Sequence, residues 1–168
     1  VNSLNVFPVP DGDTGTNMHL TLLAAVREIS KVQGKTLSDI AEAVALGSLM
    51  GARGNSGVIL SQLLRGFAKG VEGKTTLDVA GLARGLQVAA SMAYKAVMKP
   101  VEGTMLTVAR QAARSAVECK RNNLDMVQAV EKILNDAQDT LEKTPEMLPT
   151  LKEAGVVDAG GQGLVFFW

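Results

Sequence analysis

The sequence is poor in cysteine and in aromatic residues. Cys119 is the only cysteine among 168 residues, and aromatic side chains make up 4%. An intrachain disulfide is therefore excluded, and a lone thiol is typical of a reducing compartment, so we expect a cytoplasmic protein. Apolar runs stay short, as in Val58-Ile59-Leu60, and we predict neither a membrane span nor a signal peptide.

The formal net charge is zero, because 17 lysines and arginines balance 17 aspartates and glutamates. A broad basic field is thereby excluded, and we expect no nucleic-acid partner. His19 is the only histidine and has no acid placed to orient it, and nothing obvious lowers the pKa of the Cys119 thiol. Nucleophilic catalysis of the Ser-His-Asp or Cys-His kind is therefore not supported.

The length of 168 residues predicts one domain, spanning 1–168. The chain opens on Val1 without a methionine and stops on Phe166-Phe167-Trp168. We therefore interpret it as one domain of a longer protein.

Helical periodicity dominates the sequence. Apolar residues recur at three- and four-residue steps, most clearly from Leu124 to Leu141, and no segment alternates convincingly at period two. We therefore predict an all-α domain. The expected helices are about 17–32, 37–50, 56–69, 76–98, 104–121, 124–142 and 145–153. Capping boxes are expected at Thr36–Asp39 and Thr75–Asp78, with N-caps at Asn123 and Thr144.

The first loop carries an isolated pair of carboxylates. Asp11 and Asp13 are the only charged residues before Arg27, and they lie two positions apart. Such carboxylates repel each other unless a cation lies between them, and oxygen ligands of this kind favour Mg²⁺ or Ca²⁺. Asn5 could add an amide oxygen. The alternative is a solvated turn, because Asp-Gly is common in turns.

The second loop, 51–57, is rich in glycine and lies between two predicted helices. Ser56 is close to the expected helix start, where free N–H groups and the helix dipole form an anion site. Arg53 is the only formal charge from Val44 to Leu64, so a phosphate contact is one interpretation. An ordinary turn between helices, with Arg53 in solvent, is the other.

Two further loops are less specific. The segment 155–163 is glycine-rich and its only charge is Asp158, which could cap a helix or contact a ligand. The segment 99–105 joins two predicted helices, with Thr104 as a plausible N-cap. Taken alone, neither loop identifies a function.

The four loops in order resemble a known family. The residues that carry the resemblance are Asn2-Ser-Leu-Asn-Val-Phe-Pro-Val-Pro-Asp-Gly-Asp-Thr-Gly-Thr-Asn-Met18, Gly51-Ala-Arg-Gly-Asn-Ser-Gly-Val-Ile-Leu-Ser61, Ala96-Val-Met-Lys-Pro-Val-Glu-Gly-Thr-Met105 and Val157-Asp-Ala-Gly-Gly-Gln-Gly163. Together they resemble the N-terminal domain of the bacterial fatty acid kinase ATP-binding subunit, which is similar to the nucleotide-binding L subunit of dihydroxyacetone kinases. The resemblance covers essentially the whole chain.

The resemblance implies a barrel of about eight antiparallel helices, with a nucleotide held by loops at one end. The seven helices predicted here fit if one was lost upstream of Val1, or if residues after Gly160 form the last one. The family's first motif holds Mg²⁺ through three aspartates. Asp11 and Asp13 match two of them, and Asn5 stands where the third would be.

The resemblance also implies a set of nucleotide-binding residues. Ser56 and Gly57 match a Ser-Gly pair that cradles phosphate, and Thr14 replaces a histidine of the L subunits. The full implied set is Thr14, Gly15, Asn17, Ser56, Gly57, Thr104, Met105, Asp158 and Gly160.

The implied reaction is phosphoryl transfer from ATP to a fatty acid carboxylate, presented by a separate fatty-acid-binding protein, to give an acyl phosphate. Asp11 and Asp13 would act through one or two bound Mg²⁺ ions, and Arg53 could clamp the transition state. Three alternatives stay open: a dihydroxyacetone kinase L-type subunit, a nucleotide-binding module without catalysis of its own, and direct lipid binding in the centre of the barrel.

Overall fold

A computed structural model describes residues 1–33 and 36–168 of the chain. The described residues form a 3₁₀ turn, Asn2–Leu4, and nine α-helices, with no strand among them. The helices are α1 (Thr14–Ile29), α2 (Leu37–Met50), α3 (Gly54–Gly70), α4 (Val79–Ala96), α5 (Met105–Arg121), α6 (Met126–Glu142), α7 (Thr144–Met147), α8 (Pro149–Ala154) and α9 (Ala159–Phe167). The expected all-α class is confirmed.

The helices pack as a barrel-like bundle in which most helices that are consecutive in sequence also contact each other. Each of α1 to α5 packs on the next helix, and α9 contacts α1, α5 and α6. The close approach of α3 to α4 depends on glycine. A Cβ on Gly66 would lie 2.5 Å from the Cα of Ala89, and one on Gly70 would lie 2.6 Å from the Cα of Gly85.

Several predicted helix ends are wrong by a few residues, because side-chain caps decide them. The capping box from Thr36 to Asp39 is confirmed, whereas the one expected at Thr75–Asp78 is not formed. There Asp78 itself is the N-cap and accepts a hydrogen bond from the amide of Gly81 at 2.7 Å. Helix α4 therefore begins three residues later than expected.

Helix α6 begins at a cap that differs from the predicted one. Asp125 is the N-cap and shares a capping box with Gln128. Asn123 instead adopts a left-handed conformation, φ 52°, within the preceding turn. The Asp-x-x-Gln pattern prevails because it satisfies two backbone amides, whereas the turn keeps Asn123 outside the helix.

The C-terminal part contains more helices than expected. The predicted helix 145–153 is divided into α7 and α8 at Leu148, because Pro149 keeps the preceding residue extended, φ −128° and ψ 106°. Lys143, not Thr144, is the N-cap of α7. Helix α9 begins at Ala159, so the interpretation with a last helix near Gly160 holds.

An apolar cavity of about 390 Å³ lies inside the bundle. Nearly all of its lining is aliphatic or aromatic and comes from α2, α3, α4, α5, α6 and the end of α9; Leu60, Leu86 and Leu164 are representative. No helix in the described part of the chain is long and apolar enough to cross a bilayer.

Candidate functional site

A second cavity, of about 560 Å³, lies at the end of the bundle where α1, α3, α5 and α9 begin and α4 ends. Helices α1, α3, α5 and α9 start at the end of the bundle where α4 stops, and this arrangement is expected when neighbouring helices are antiparallel. Four helix N-termini around one cavity provide a concentration of backbone N–H groups and positive dipole ends. The electrostatics of the cavity depend on which of these termini already have acceptors.

The N-terminus of α1 is capped by two asparagine side chains. The Oδ1 atom of Asn5 accepts hydrogen bonds from the amides of Asp13 and Thr14, both at 3.1 Å, and from the Thr14 hydroxyl at 2.8 Å. The Oδ1 atom of Asn2 accepts from the amides of Gly15 and Thr16, at 2.7 and 3.1 Å. The first turn of α1 therefore has its acceptors within the protein.

The N-terminus of α9 is capped by the carboxylate of Asp158, which lies close to the start of α5. This carboxylate caps α9 by accepting from the amide of Gly161 at 2.7 Å, and the amide of Met105 at the start of α5 also stabilises its charge. Asp158 is only 6% exposed. Burial raises the pKa of Asp158 to about 6, although the amides of Gly161 and Met105 act in the opposite direction.

Helix α3 also begins at this cavity, and within the described residues no side chain accepts from the amides of its first turn. Arg53 occupies its N-cap position and makes no capping bond. Gly54, Asn55 and Ser56 form its first turn and line the cavity. A helix start of this kind is a favourable site for an anion.

The start of α3 is fixed against α1 by buried contacts. Thr21, which is fully buried, donates its hydroxyl hydrogen to the carbonyl of Asn17 at 2.7 Å and accepts from the amide of Arg53 at 3.2 Å. Gly54 has φ +57°, and a Cβ there would meet the Asn17 side chain at 2.2 Å. Glycine is therefore favoured at position 54 both by its positive φ and by the close approach of the Asn17 side chain.

Asp11 and Asp13 bring negative charge to the same cavity. Both line it; Asp11 is exposed and Asp13 half-buried. Within residues 1–33 and 36–168 neither carboxylate has a lysine or arginine partner, and no group of three or more His, Cys, Asp and Glu converges as a metal site. Two carboxylates fit Mg²⁺, which often binds proteins through one or two carboxylates and completes its shell with water and phosphate.

The structure brings most of the predicted site residues to this cavity. Those that line it are Asn5, Asp11, Asp13, Thr14, Asn17, Ser56, Thr104, Met105, Asp158 and Gly160. Gly15 and Gly57 do not line it. Gly15 packs against Val1 and Asn2, and Gly57 packs against Thr21.

Sequence reasoning missed four residues of this region. Asn2 and Thr21 act through hydrogen bonds that cross 13 to 32 positions of the chain, so no local pattern reveals them. Lys99 lines the cavity, whereas Arg53, the basic residue that the sequence pointed to, does not. Glu102 lies outside the cavity but makes several bonds in its wall, which are described below.

The fold and site define a class: an all-helical domain with an uncapped helix start and an acidic loop at one cavity. Residues 8–168 match the family model of the DAK2 domain, and the chain belongs to that family. The family belongs to dihydroxyacetone kinase systems, which supports a kinase-related role for this domain.

The chain is also similar to longer bacterial proteins. It is 51% identical over 165 residues to Protein YloV of Bacillus subtilis (strain 168), and 52% identical over 165 residues to an uncharacterized protein of Staphylococcus aureus (strain USA300). Each match covers 98% of this chain and 30% of the relative. The chain thus spans less than a third of the length of these relatives.

Proposed function

We propose that this domain binds a magnesium–nucleotide complex in the 560 Å³ cavity and takes part in phosphoryl transfer from it. The observation that carries the proposal is the juxtaposition of the uncapped start of α3 with Asp11 and Asp13 around one cavity. A polyphosphate with a bound cation uses both features, because its oxygens suit the helix start and its cation suits the carboxylates.

Asp11 and Asp13 are the residues we assign to hold Mg²⁺. Asn5 would support them by holding the loop, because its amide oxygen already accepts three hydrogen bonds. When bound, Mg²⁺ offsets negative charge on the phosphate oxygens. The amides of Gly54, Asn55 and Ser56 would bind the phosphates and orient the terminal one, and Thr104, Met105 and Asp158 would lie along the rest of the nucleotide.

The acceptor we propose is the carboxylate of a fatty acid, presented by a separate fatty-acid-binding protein. The carboxylate oxygen would attack the terminal phosphorus of ATP, the bond to the bridging oxygen would break, and ADP and an acyl phosphate would result. No general base is needed, since a carboxylic acid is ionised at neutral pH. The four-loop resemblance supports this acceptor, and DAK2 membership supports the kinase class.

Nucleotide binding is tested by calorimetric titration of the domain with a non-hydrolysable ATP analogue, in Mg²⁺ and then in EDTA. We expect binding in Mg²⁺ that is lost in EDTA and in Asp11→Asn. Asp139→Asn is the matched control, because Asp139 is an exposed aspartate on α6, a helix that contributes no residue to the cavity. A folded domain that does not bind in Mg²⁺ would contradict the proposal.

The acceptor is tested separately in the full-length protein, because the chain covers only 30% of its relatives. The assay supplies ATP and either oleate with a fatty-acid-binding protein or dihydroxyacetone. Acyl phosphate formation supports the proposal. Formation of dihydroxyacetone phosphate supports the L-subunit alternative, and nucleotide binding without either product supports a module without catalysis of its own.

The 390 Å³ cavity favours a second candidate function, the binding of an acyl chain inside the bundle. Its lining is almost wholly apolar, and Ile40, Val130 and Phe167 at its edge are partly exposed. Large apolar cavities bind apolar ligands readily. Titration with a fluorescent fatty acid tests this candidate, and failure to bind in the absence of any carrier protein would contradict it.

A further inference from the structure

The loop between α4 and α5, residues 97–104, forms part of the wall of the 560 Å³ cavity. Val97, Lys99, Val101 and Thr104 line the cavity from this loop. No helix covers these eight residues, so their position depends on side-chain contacts. Those contacts converge on one carboxylate, Glu102, which does not itself line the cavity.

Glu102 receives hydrogen bonds from both helices that the loop connects. Arg110 of α5 donates from Nη1 to Oε1 at 2.8 Å and from Nη2 to Oε2 at 2.5 Å. Thr107 of α5 donates to Oε2 at 2.8 Å, and the Tyr94 hydroxyl of α4 donates to Oε1 at 3.3 Å. The Arg110 guanidinium also lies over the Tyr94 ring, 5.1 Å from its centroid.

The next residue of the loop is fixed by backbone geometry. The amide of Gly103 donates to the Thr107 hydroxyl at 2.9 Å, so Thr107 links Gly103 and Glu102. Gly103 has φ +80°. A Cβ there would lie 2.9 Å from the carbonyl oxygen of Thr144 and 3.0 Å from the side chains of Met147 and Leu148. The loop is thus held against α7 as well.

We propose that the Glu102–Arg110 pair, together with Tyr94 and Thr107, is a positioning device that fixes the 97–104 loop as a preformed wall for the ligand. The proposal rests on the proposed nucleotide site and deepens it, because it assigns part of the affinity to residues that do not touch the cavity. Glu102 is a positioning residue: it acts through Val97, Lys99, Val101 and Thr104.

The physical reason is pre-organisation. A bidentate guanidinium–carboxylate pair fixes orientation as well as distance. Without it the loop would sample other conformations, and ligand binding would have to order it again at an entropic cost that lowers affinity. The pKa of Glu102 is consistent with a stable pair: burial raises it, and the bonds from Arg110 and Thr107 lower it by more.

The experiment compares affinities of the ATP analogue in Mg²⁺ for the wild type, Glu102→Gln, Arg110→Met and the double variant. The control is Lys132→Met, because Lys132 forms an ion pair with Glu118 that joins α5 to α6 and a second one with Asp136 within α6. The side chains of Arg110 and Lys132 are both 35% exposed. Thermal unfolding and amide hydrogen exchange are measured on every variant.

We expect each single variant to bind about tenfold more weakly than the wild type, with faster amide exchange confined to residues 97–104. The double variant should bind no more weakly than either single one, since both remove the same device. Lys132→Met should keep wild-type affinity. Tyr94→Phe, which removes only the weakest bond, should give a smaller change and serves if Glu102→Gln does not fold.

Three outcomes would contradict the inference, and they can be told apart. If the wild type binds the analogue, and Glu102→Gln and Arg110→Met bind it as tightly as the wild type does, the positioning role is overturned while the nucleotide site stands. If the folded wild type does not bind the analogue, the nucleotide site and the inference that rests on it both fall. A loss of affinity in Lys132→Met equal to that in Arg110→Met would also overturn the inference, because general destabilisation would then explain it.

Discussion

The side-chain oxygen of Asn5 accepts hydrogen bonds from both the amide and the hydroxyl of Thr14, at 3.1 and 2.8 Å. These two bonds close the loop that carries Asp11 and Asp13. The Nδ2 atom of Asn5 completes the arrangement by donating to the carbonyl of Val9 at 2.9 Å. A buried neutral amide, only 7% exposed, therefore holds two negative charges in place without neutralising them.

Asn5→Ala should lower the free energy of unfolding by about 1–3 kcal/mol, because it leaves buried amides at the start of α1 without an acceptor. Urea unfolding of the domain measures the change. Asn135→Ala is the control, since Asn135 is exposed on α6, and it should shift stability by no more than about 0.5 kcal/mol. Equal stability of the two variants would contradict the role of Asn5 in the loop.

Asn5→Asp should destabilise the domain in EDTA and recover part of that loss in Mg²⁺. The new carboxylate keeps an acceptor for Thr14 but loses the donor to Val9, and it places a third negative charge beside Asp11 and Asp13. A bound cation offsets that repulsion. Thermal unfolding of wild type and variant in EDTA and in Mg²⁺ measures the difference, and a variant loss that is identical in both conditions would contradict a cation site in this loop.

The fold class could be predicted because the periodicity of long helices is a local signal. The ends of the helices were harder to predict, because several polar residues near each end could serve as its cap. Asp78 and Asp125 prevail over the neighbouring candidates Thr75 and Asn123 through the specific bonds that they make to Gly81 and Gln128. Which of two nearby polar residues becomes the cap depends on the geometry of the turn before the helix.

That the four loops meet at one cavity could be predicted from their resemblance to a family. Which residues of these loops line the cavity, and which pack against other parts of the protein, could not. Sequence assigns Gly15 and Gly57 to the ligand, whereas the structure packs both against protein atoms. The sequence also indicates Arg53 as a ligand contact, because it is the only formal charge from Val44 to Leu64. Lys99 lies in a loop without a distinctive local pattern, so the sequence does not indicate it. Distances across the chain decide these cases.

Lys99→Met should weaken binding of the ATP analogue about two- to fivefold, whereas Arg53→Met should leave the affinity close to that of the wild type. Lys99 lines the cavity and Arg53 does not, and an exposed charge contributes modestly to binding. The expectation from sequence that Arg53 acts on turnover is tested in the same pair of variants by the rate of acyl phosphate formation. A larger loss of affinity in Arg53→Met than in Lys99→Met would contradict the placement of these two cations.

Asp158 should make the domain less stable as the pH rises from about 4 to 6. Burial raises the pKa of its carboxyl from 3.8 to about 6. Between these values the folded state binds more protons than the unfolded state, so the free energy of unfolding falls as pH rises. The cost approaches about 3 kcal/mol above pH 6 and vanishes below the unfolded pKa.

Urea unfolding of wild type and Asp158→Asn from pH 4 to 8 isolates this contribution, because the other carboxyl groups titrate in both proteins. Asparagine can still accept from the Gly161 amide. The stability of the wild type relative to the variant should fall from pH 4 to pH 6 and then remain level. A difference that is independent of pH over this range would contradict the raised pKa of Asp158.

Gly57→Ala should destabilise the domain by about 1–3 kcal/mol even though alanine favours helix formation. A Cβ at position 57 would lie 2.4 Å from the Oγ1 atom of Thr21. That hydroxyl cannot readily move, because it is fully buried and bonded to both Asn17 and the amide of Arg53. Combining Gly57→Ala with Thr21→Ala removes the clash, so the double variant should be more stable than the sum of the two single losses predicts. Strict additivity in urea unfolding would show that packing against Thr21 is not what requires glycine at position 57, and the phosphate-cradling role expected from sequence would then be the stronger explanation.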